Sequence, residues 1–354
     1  MAFEGLGEEY DAVRAVFQLP FPGATEGVLG LKKVLGADGP ERSHAESLEH
    51  FRTVTLKFKA TDKILESSGL DPAGKNVPTE DAVKRAASLK FLRHLYMVSA
   101  RGNQEVWVLT SPKTYSHYPL AELMGVKTSN VSIKAKIEDI DERFGVQTRT
   151  QIGEATMMGL RWCEAAKVVL ATAKTDTKAM AKVKRWFADG STSANALAAT
   201  ISDVHKGFKK VANTLNGHRV MVTDMPSLRL DPNQELTEAF ILNISGKTER
   251  PRTIYIEKAL FENYNVSVLH DMKKNWARTL VHECTHIDAG TLDKGYAWAG
   301  IEPGVDLPVA DAAVNADSWA FFAADCANAL TAGEIVRTCG GTGGDLTKLA
   351  KNWN

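Results

Sequence analysis

Residues 276–290 read WARTLVHECTHIDAG and place two histidines four positions apart, at His282 and His286. Side chains four apart lie on one face of an α-helix, so both imidazoles can reach one metal ion. Glu283 lies beside them and reaches the position where such an ion would hold a water molecule. The stretch therefore predicts a helix that carries a metal site.

Zinc suits this site, because imidazole and carboxylate ligands leave a fourth position open for water. Bound zinc lowers the pKa of that water to about 7, and Glu283 can then accept its proton as the water attacks a carbonyl. The alternative is a helix with two surface histidines, but Leu280, Val281 and Ile287 make the segment apolar. Partly buried histidines need a partner, and one Zn²⁺ per chain is the simplest partner.

A catalytic zinc site needs a third protein ligand, and three acidic residues follow the histidines. Glu302 stands in a predicted loop further along the chain. Asp288 comes two residues after the second histidine and points away from the metal if the helix continues. Asp293 follows a helix break at Gly290, where the chain can turn back, and is the better ligand on geometry.

Three further stretches give the chain a resemblance to a known family. Residues 290–296 read GTLDKGY, residues 315–323 read NADSWAFFA, and residues 185–187 read RWF before a long predicted helix. The first two resemble the GTxDxxY and NADS signatures of the deuterolysin and peptidyl-Lys metalloendopeptidase family, the aspzincins. The third is similar to the segment that leads into a long helix of that family. The resemblance covers roughly residues 150–330, about half of the chain.

The resemblance implies roles for the zinc ligands and the general base, namely His282, His286, Asp293 and Glu283. It also implies that the Tyr296 hydroxyl donates a hydrogen bond to the oxyanion that forms on the substrate. Such a bond stabilises the transition state more than the ground state. The alternative for Tyr296 is an aromatic ring packed near Trp298.

Asp317 matches the family position that faces the S1′ pocket and, in the lysine-directed members, the substrate ammonium. A carboxylate there attracts Lys or Arg, so the resemblance implies a preference for a basic residue at P1′. The lysine-directed members carry a second acid one helical turn later, where this chain has Ala320. The alternative for Asp317 is a carboxylate that orients a metal ligand or caps a helix.

Around these motifs, the second half of the chain has helical patterning. Apolar residues at three-to-four spacing predict helices over residues 154–173, 175–189 and 194–215. Three short β-rich runs follow before the helix with the histidines. We therefore predict residues 146–335 as a mostly helical, zincin-like metallopeptidase domain with a small sheet at the edge of the cleft.

The first 145 residues have mixed patterning. Residues 51–61, FRTVTLKFKAT, alternate apolar and polar side chains and predict a strand. Thr79 is a predicted cap for a helix over residues 79–96, and a hairpin follows with its turn at residues 101–104.

These patterns predict three parts in an α+β protein. Residues 1–145 are predicted as a mixed α/β N-terminal domain with a targeting, carrier or cleft-shaping role, which precedes the metallopeptidase domain. Residues 336–354 are predicted as a Gly-rich C-terminal tail.

The composition argues against several classes of protein. Lys and Arg together number 43, as do Asp and Glu, so the net charge is zero and no nucleic-acid partner is expected. Four scattered cysteines without CxxC spacing predict neither a disulfide framework nor a Cys-based zinc site. No run approaches the roughly 18 apolar residues of a membrane span.

The N-terminal residues MAFEGLGEEYDAVRAVF carry acids where a signal peptide needs a basic segment and an unbroken apolar run. We therefore expect no signal peptide. The expectation is a protein that is cytoplasmic in the producing cell, with any export through a signal-independent secretion system.

Taken together, the motifs predict a zinc-dependent metalloendopeptidase that acts on a protein or peptide substrate. Signal-less proteins with this domain resemble bacterial secreted effectors or toxins, which implies a secretion-machinery, immunity or chaperone partner. One alternative is a zinc amidase that acts on cell-wall peptides. Another is a catalytically inactive effector or binding module on a metallopeptidase fold, which is disfavoured because the chain has all of His282, Glu283, His286 and Asp293.

Overall fold

The computed structural model describes most of the chain, namely residues 5–22, 30–55, 60–74, 77–100, 104–231, 237–244, 247–262 and 268–340. Within these ranges, helices predominate and strands are short. None of the described helices has both the length and the apolar character that crossing a membrane requires.

Helices precede and follow the strands along the chain. The α-helices are α1 (Leu6–Val16), α2 (Ala45–Thr55), α3 (Ala60–Ser68), α4 (Glu80–Arg93), α5 (Pro119–Gly125), α6 (Asn130–Glu138), α7 (Val146–Thr172), α8 (Thr177–Phe187), α9 (Ala194–Asn216), α10 (Lys258–Glu262), α11 (Met272–Ala289), α12 (Val309–Ala312), α13 (Ala316–Cys326) and α14 (Ala332–Gly340). Single 3₁₀ turns occur at Leu31–Lys33, Arg42–His44 and Pro226–Leu228.

The strands are β1 (Leu95–Ala100), β2 (Gln104–Leu109), β3 (Val220–Thr223), β4 (Ala239–Phe240), β5 (Asn243–Ile244), β6 (Lys247–Thr248) and β7 (Arg252–Ile256). Five of them form one mixed sheet in the order β1-β2-β3-β7-β4, and β5 pairs with β6 separately. The pairs β2–β3 and β3–β7 are parallel, whereas β1–β2 and β4–β7 are antiparallel. The sheet thus joins strands from both sides of residue 145.

Alternating side chains of the central strands point to opposite faces of the sheet, as the two-residue period of a strand requires. One face belongs to a core that it shares with the helices of the C-terminal half, and its strand residues are Val106, Val108, Val220, Val222, Ile254 and Ile256. The other face belongs to a second core with the N-terminal helices, and its strand residues are Trp107, Leu109, Met221 and Tyr255. The sheet is therefore the middle layer between two groups of helices.

The long helix α7 organises the C-terminal core. It packs against α8, α9, α11 and α13 and also against β1 and β2. Its inward face is apolar and includes Trp162, Cys163 and Ala166, all buried. Because α7 contacts both the sheet and α11, it fixes the helix with the two histidines relative to the strands.

Several predictions of local structure are confirmed. The α+β class is correct, and β1 and β2 form the predicted hairpin, with Leu95 opposite Leu109. Most of its predicted turn, residues 101–103, lies outside the described residues. Thr79 caps α4, because its side-chain oxygen accepts a hydrogen bond from the Ala82 amide at 3.3 Å.

The strand predicted at residues 51–61 is wrong. Helix α2 continues to Thr55 and α3 begins at Ala60, while residues 56–59 lie outside the described part. The buried side chains of α2 include Leu48, Phe51 and Thr55, which recur at three and four positions. This helical spacing overlaps the alternating pattern, and packing against the N-terminal core favours the helix.

The division into residues 1–145 and 146–335 stays a prediction, and the shared sheet crosses its boundary. The predicted tail from residue 336 is helical in its first part, because α14 extends to Gly340. Residues 341–354 lie outside the described residues.

Gly207 of α9 lies where three helices meet. A Cβ atom at this position would lie 2.3 Å from Cζ3 of Trp319 in α13 and 3.1 Å from Cβ of Ala289 in α11. The Trp319 ring cannot move away cheaply, because its Nε1 donates a hydrogen bond to the Ala313 carbonyl at 2.8 Å. The close approach of these helices therefore requires glycine.

We expect Gly207→Ala to lower the free energy of unfolding by about 1–3 kcal/mol, because the added methyl group overpacks the core. This loss should appear although alanine favours a helix over glycine by about 1 kcal/mol. The matched control is Gly125→Ala in α5, where a Cβ would meet no atom within 4 Å. Urea denaturation of both variants decides, and an unchanged or higher stability of Gly207→Ala would contradict the packing argument.

Removal of residues 1–145 should prevent the remainder from folding alone. The truncated chain lacks β1 and β2, so β3 gains an open edge and an apolar face of the sheet loses its cover. We expect fragment 146–354 to be insoluble or to melt without a cooperative transition, and co-expression with fragment 1–145 to restore solubility. A monomeric fragment 146–354 with a cooperative thermal transition would instead establish an independent C-terminal domain.

Candidate metal centre

Helix α11 carries both histidines and is held firmly in the core. Asp271 caps its first turn, because the Asp271 side chain accepts a hydrogen bond from the Lys274 amide at 3.1 Å. Every residue from Asn275 to Thr285 is buried, since α7, α9 and α13 pack against this helix. The two histidines are therefore placed by the fold itself.

Helix α11 ends at Gly290, where the backbone turns into the left-handed region with a φ of 67°. Glycine adopts this conformation without the strain that a Cβ atom would bring. The Gly290 amide donates a hydrogen bond to the Thr285 carbonyl, which completes the end of the helix. The turn reverses the chain, so the residues after Gly290 run back beside the histidines.

Asn315 holds the returning segment in place. Its side-chain oxygen accepts hydrogen bonds from the amides of Lys294 at 3.0 Å and Gly295 at 3.1 Å. Leu292 also forms a parallel bridge with Asn315 through backbone hydrogen bonds. Asp293 lies between these contacts, so its position is set by the backbone around it.

Three potential ligand atoms converge at this point. Asp293 Oδ1 lies 3.1 Å from His282 Nε2 and 3.4 Å from His286 Nε2. The two Nε2 atoms are 3.1 Å apart. Among the described residues, these three side chains are the one group of His, Cys, Asp or Glu with donor atoms close enough to hold a metal ion.

The other ring nitrogen of each histidine already has a partner. His282 Nδ1 lies 2.8 Å from Asp317 Oδ1, and His286 Nδ1 lies 2.8 Å from the carbonyl oxygen of Thr291. Each contact places the ring proton on Nδ1 and leaves Nε2 free to bind a cation. Two imidazole nitrogens and one carboxylate oxygen with an open side are the donor set of a catalytic zinc site, so these residues fit zinc.

Asp288 and Glu302, the other two candidates for the third ligand, lie away from the histidines. Asp288 faces the other way, with its Oδ1 3.2 Å from Arg252 Nη1 of β7. Glu302 is exposed in the loop after the site, where its amide donates to Asp306. The structure thus brings Asp293, and neither of these two, to the histidines.

The comparison with protein families agrees with this geometry. The aspzincin family model, described as lysine-specific metallo-endopeptidase, matches residues 172–324. Over this stretch the chain is similar to that family. A comparison with curated proteins gives no match. The resemblance inferred from the motifs is confirmed, and this family consists of zinc metalloendopeptidases.

The matched segment begins at the end of α7 and ends within α13. It contains all three converging donors and also the strands β3, β4 and β7 of the shared sheet. The match leaves out β1, β2 and most of α7, although β2 and α7 pack directly against the segment. The matched segment is therefore only part of the structural unit in which it packs.

The contacts at this site shift the pKa values of His282 and Asp293. Burial alone lowers the pKa of His282, but hydrogen bonds with Asp293 and Asp317 raise it to about 10. Burial raises the pKa of Asp293, yet its hydrogen bonds with both histidines hold that pKa well below the usual range. At neutral pH a proton on His282 therefore occupies the place of a metal ion among these side chains.

Glu283 and Tyr296 both line the cleft beside the donors. Glu283 is buried, which raises the pKa of its carboxyl, and its Oε1 lies 4.0 Å from His282 Nε2. The ring of Tyr296 stacks on Trp298 at 6.2 Å, and 41% of the residue is exposed. Burial and the neighbouring Asp293 charge raise the pKa of Tyr296 to about 12, so its hydroxyl keeps its proton.

Asp317 is buried and fully engaged with protein groups. Its Oδ1 contacts His282 Nδ1 and lies 3.4 Å from Arg278 Nη1, and its Oδ2 accepts a hydrogen bond from the Ala297 amide at 2.9 Å. The substrate-binding role predicted for Asp317 stays a prediction. These contacts match the alternative, a carboxylate that orients a metal ligand.

A cleft of about 620 Å³ surrounds the donors. Its walls come from α11, the returning segment, α13 and the start of β4. The lining combines apolar side chains, including Phe240, Ile241 and Phe321, with polar and charged ones. The cleft is therefore large enough for several residues of a peptide.

Sequence reasoning assigned no role to two residues that shape the site. Arg278 binds Asp317 and precedes His282 by four positions, a spacing that places both on one face of α11. Asn315 belongs to the NADS stretch and directly precedes α13, yet its contacts with the returning segment are not visible in a sequence. The helical spacing could have indicated Arg278, whereas Asn315 required the tertiary structure.

Zinc binding at pH 7 should release about one proton per ion, because His282 must lose its proton to bind. The apparent Kd for zinc should fall about tenfold per pH unit between pH 7 and 9, because the fraction of deprotonated His282 rises as the pH approaches its pKa. Calorimetry in buffers with different ionisation enthalpies counts the proton. Asp317→Asn removes a hydrogen bond that raises this pKa, so it should release less proton at pH 8. An affinity that is constant over this range would contradict the assignment.

Proposed function

We propose that the protein is a zinc metalloendopeptidase with its catalytic centre at His282, Glu283, His286 and Asp293. The observation that carries the proposal is the convergence of two Nε2 atoms and Asp293 Oδ1 in a cleft that Glu283 also lines. Among the described residues no fourth protein ligand joins this group. An open position is typical of catalytic zinc sites, whereas structural sites are closed by four protein ligands.

His282, His286 and Asp293 would hold the ion. When bound, zinc supplies a Lewis acid that polarises the scissile carbonyl and makes water acidic enough to lose a proton near neutral pH. Asp317 and the Thr291 carbonyl keep the two imidazoles oriented, which raises their basicity as ligands.

Glu283 is the proposed general base. Its carboxylate accepts a proton from the attacking water and then gives this proton to the amine that leaves. Burial makes the carboxylate a better base, because it raises the pKa of the carboxyl above its usual value. The residue therefore lies beside the donors, and its burial favours acceptance of a proton.

Tyr296 is the proposed oxyanion donor. Its hydroxyl stays protonated at neutral pH, since its pKa is about 12. Its ring position is fixed by stacking on Trp298 at the rim of the cleft. A phenol held there can donate to the charge that develops on the carbonyl oxygen and contribute a few kcal/mol to the transition state alone.

Strand β4 has an edge to which an extended substrate can add as a further strand. One edge of β4 pairs with β7, and no other described strand covers its second edge. Ala239 and Phe240 of this strand line the cleft. A peptide that adds to this edge through backbone hydrogen bonds would pass the three donors, which favours a protein or peptide substrate.

A zinc amidase that acts on cell-wall peptides remains the second candidate, because it would use the same donors and base. The open ligand position disfavours an inactive binding module. Roles as an effector or toxin, export, and secretion or immunity partners stay predictions from the sequence.

Glu283→Gln should lower kcat by about 10²–10⁴-fold, because it removes the base but keeps the size of the side chain. The zinc content should stay near one ion per chain, since Glu283 is not a ligand. The matched control is Glu302→Gln, which changes an exposed acid outside the donor group. Cleavage of an unfolded protein library, read by mass spectrometry, and elemental analysis of zinc are the measurements.

Cleavage by wild type and Glu302→Gln but not by Glu283→Gln would support the proposal. Zinc in all three proteins with no cleavage by wild type would direct the test to cell-wall peptides. No zinc in the wild type would falsify the metal centre itself.

A further inference from the structure

Arg278 lines the cleft and lies between two carboxylates. It precedes His282 by one helical turn, and its Nη1 is 3.4 Å from Asp317 Oδ1. Its Nη2 donates a hydrogen bond to Glu238, the residue directly before β4. One guanidinium therefore connects the edge strand of the cleft with the carboxylate that holds His282.

Both carboxylates have protein partners at each oxygen. Asp317 Oδ1 contacts His282 and Arg278, and Oδ2 accepts from the Ala297 amide. Glu238 Oε2 accepts from Arg278, and Oε1 accepts from Asn275 Nδ2 at 2.7 Å. A substrate ammonium in the cleft would therefore compete with an existing cation for both acids.

The surroundings of Arg278 favour an uncharged substrate side chain. Only 10% of the Arg278 side chain is exposed, so its charge is poorly screened by water. The helix that carries Asp317 presents Phe321 to the same cleft one turn later. Arg278 is the one Lys or Arg among the described residues that line the cleft.

We infer that the subsite lined by Arg278, Asp317 and Phe321 accepts an uncharged substrate side chain and that Arg278 excludes Lys and Arg from it. The inference rests on the proposed peptidase function. It assigns Arg278 a role in specificity and Asp317 a positioning role through His282. Because Asp317 and Glu238 already pair with Arg278, a substrate ammonium would have to displace that guanidinium or remain without a carboxylate partner, and such an unpaired charge is an effective means of discrimination.

The first test is the cleavage pattern of the wild-type zinc enzyme on an unfolded protein library. At one position beside the cut, apolar residues should be enriched and Lys and Arg should be depleted. Two peptides that differ only by Leu or Lys at that position should then differ in kcat/KM by about tenfold or more in favour of Leu.

The second test changes the cation itself. Arg278→Ala leaves Asp317 and Glu238 without it, so a substrate Lys or Arg can take its place, and the Lys/Leu ratio of kcat/KM should rise about tenfold or more. Arg278→Lys keeps the charge and should keep the wild-type preference. Guanidinium ions at millimolar concentration should reverse the change in Arg278→Ala, because they refill the site.

The matched control is Lys274→Ala. Lys274 lies one turn earlier on the same helix and pairs with Glu334 at 3.1 Å, and it is not among the residues that line the cleft. Its loss should not alter the Lys/Leu ratio. Thermal melting and zinc content of each variant show whether the fold and the metal centre remain intact.

The outcomes separate this inference from the proposed function. Cleavage by wild type with enrichment of Lys or Arg at the position beside the cut overturns the inference and leaves the peptidase intact. An unchanged Lys/Leu ratio in folded, zinc-loaded Arg278→Ala also overturns it. If that variant does not fold, the wild-type peptide pair and Arg278→Lys decide. No cleavage by wild type on any peptide overturns the proposed function and this inference with it.

Discussion

The hydrogen bond between His282 Nδ1 and Asp317 Oδ1, at 2.8 Å, is the contact on which the site depends. It joins α11 to α13 and fixes which nitrogen of His282 faces the cleft. Both partners are buried, so an unpaired carboxylate or imidazolium here would cost several kcal/mol. Arg278 balances the remaining charge of Asp317. The same hydrogen bond therefore holds two helices together and orients one metal ligand.

The local parts of the site could be predicted because short-range spacing determines them. The positions of His282 and His286 on one helical face follow from the helical repeat alone. The reversal that brings Asp293 back follows from Gly290, which tolerates the left-handed turn that ends α11. The converging donors of the structure agree with this reading.

Contacts between distant segments could not be predicted from spacing. Arg278 and Glu238 are forty positions apart, and no periodicity links them. The alternation at residues 51–61 indicated a strand, yet helical packing against the N-terminal core determined the structure of α2. Similarly, the sequence of β2 predicts a strand but not its parallel partner β3. Tertiary packing selects among several local structures that a single sequence permits.

The order of strands in the sheet has a consequence for how the chain folds during synthesis. Strand β2 leaves the ribosome long before its neighbour β3, and β7 follows later still. Until β3 arrives, the second edge of β2 has no strand partner, although helix α7, which packs against β2, is synthesised earlier than β3. The nascent chain therefore exposes an unpaired strand edge for many seconds at ordinary rates of translation, and we expect chaperones to bind it during this time.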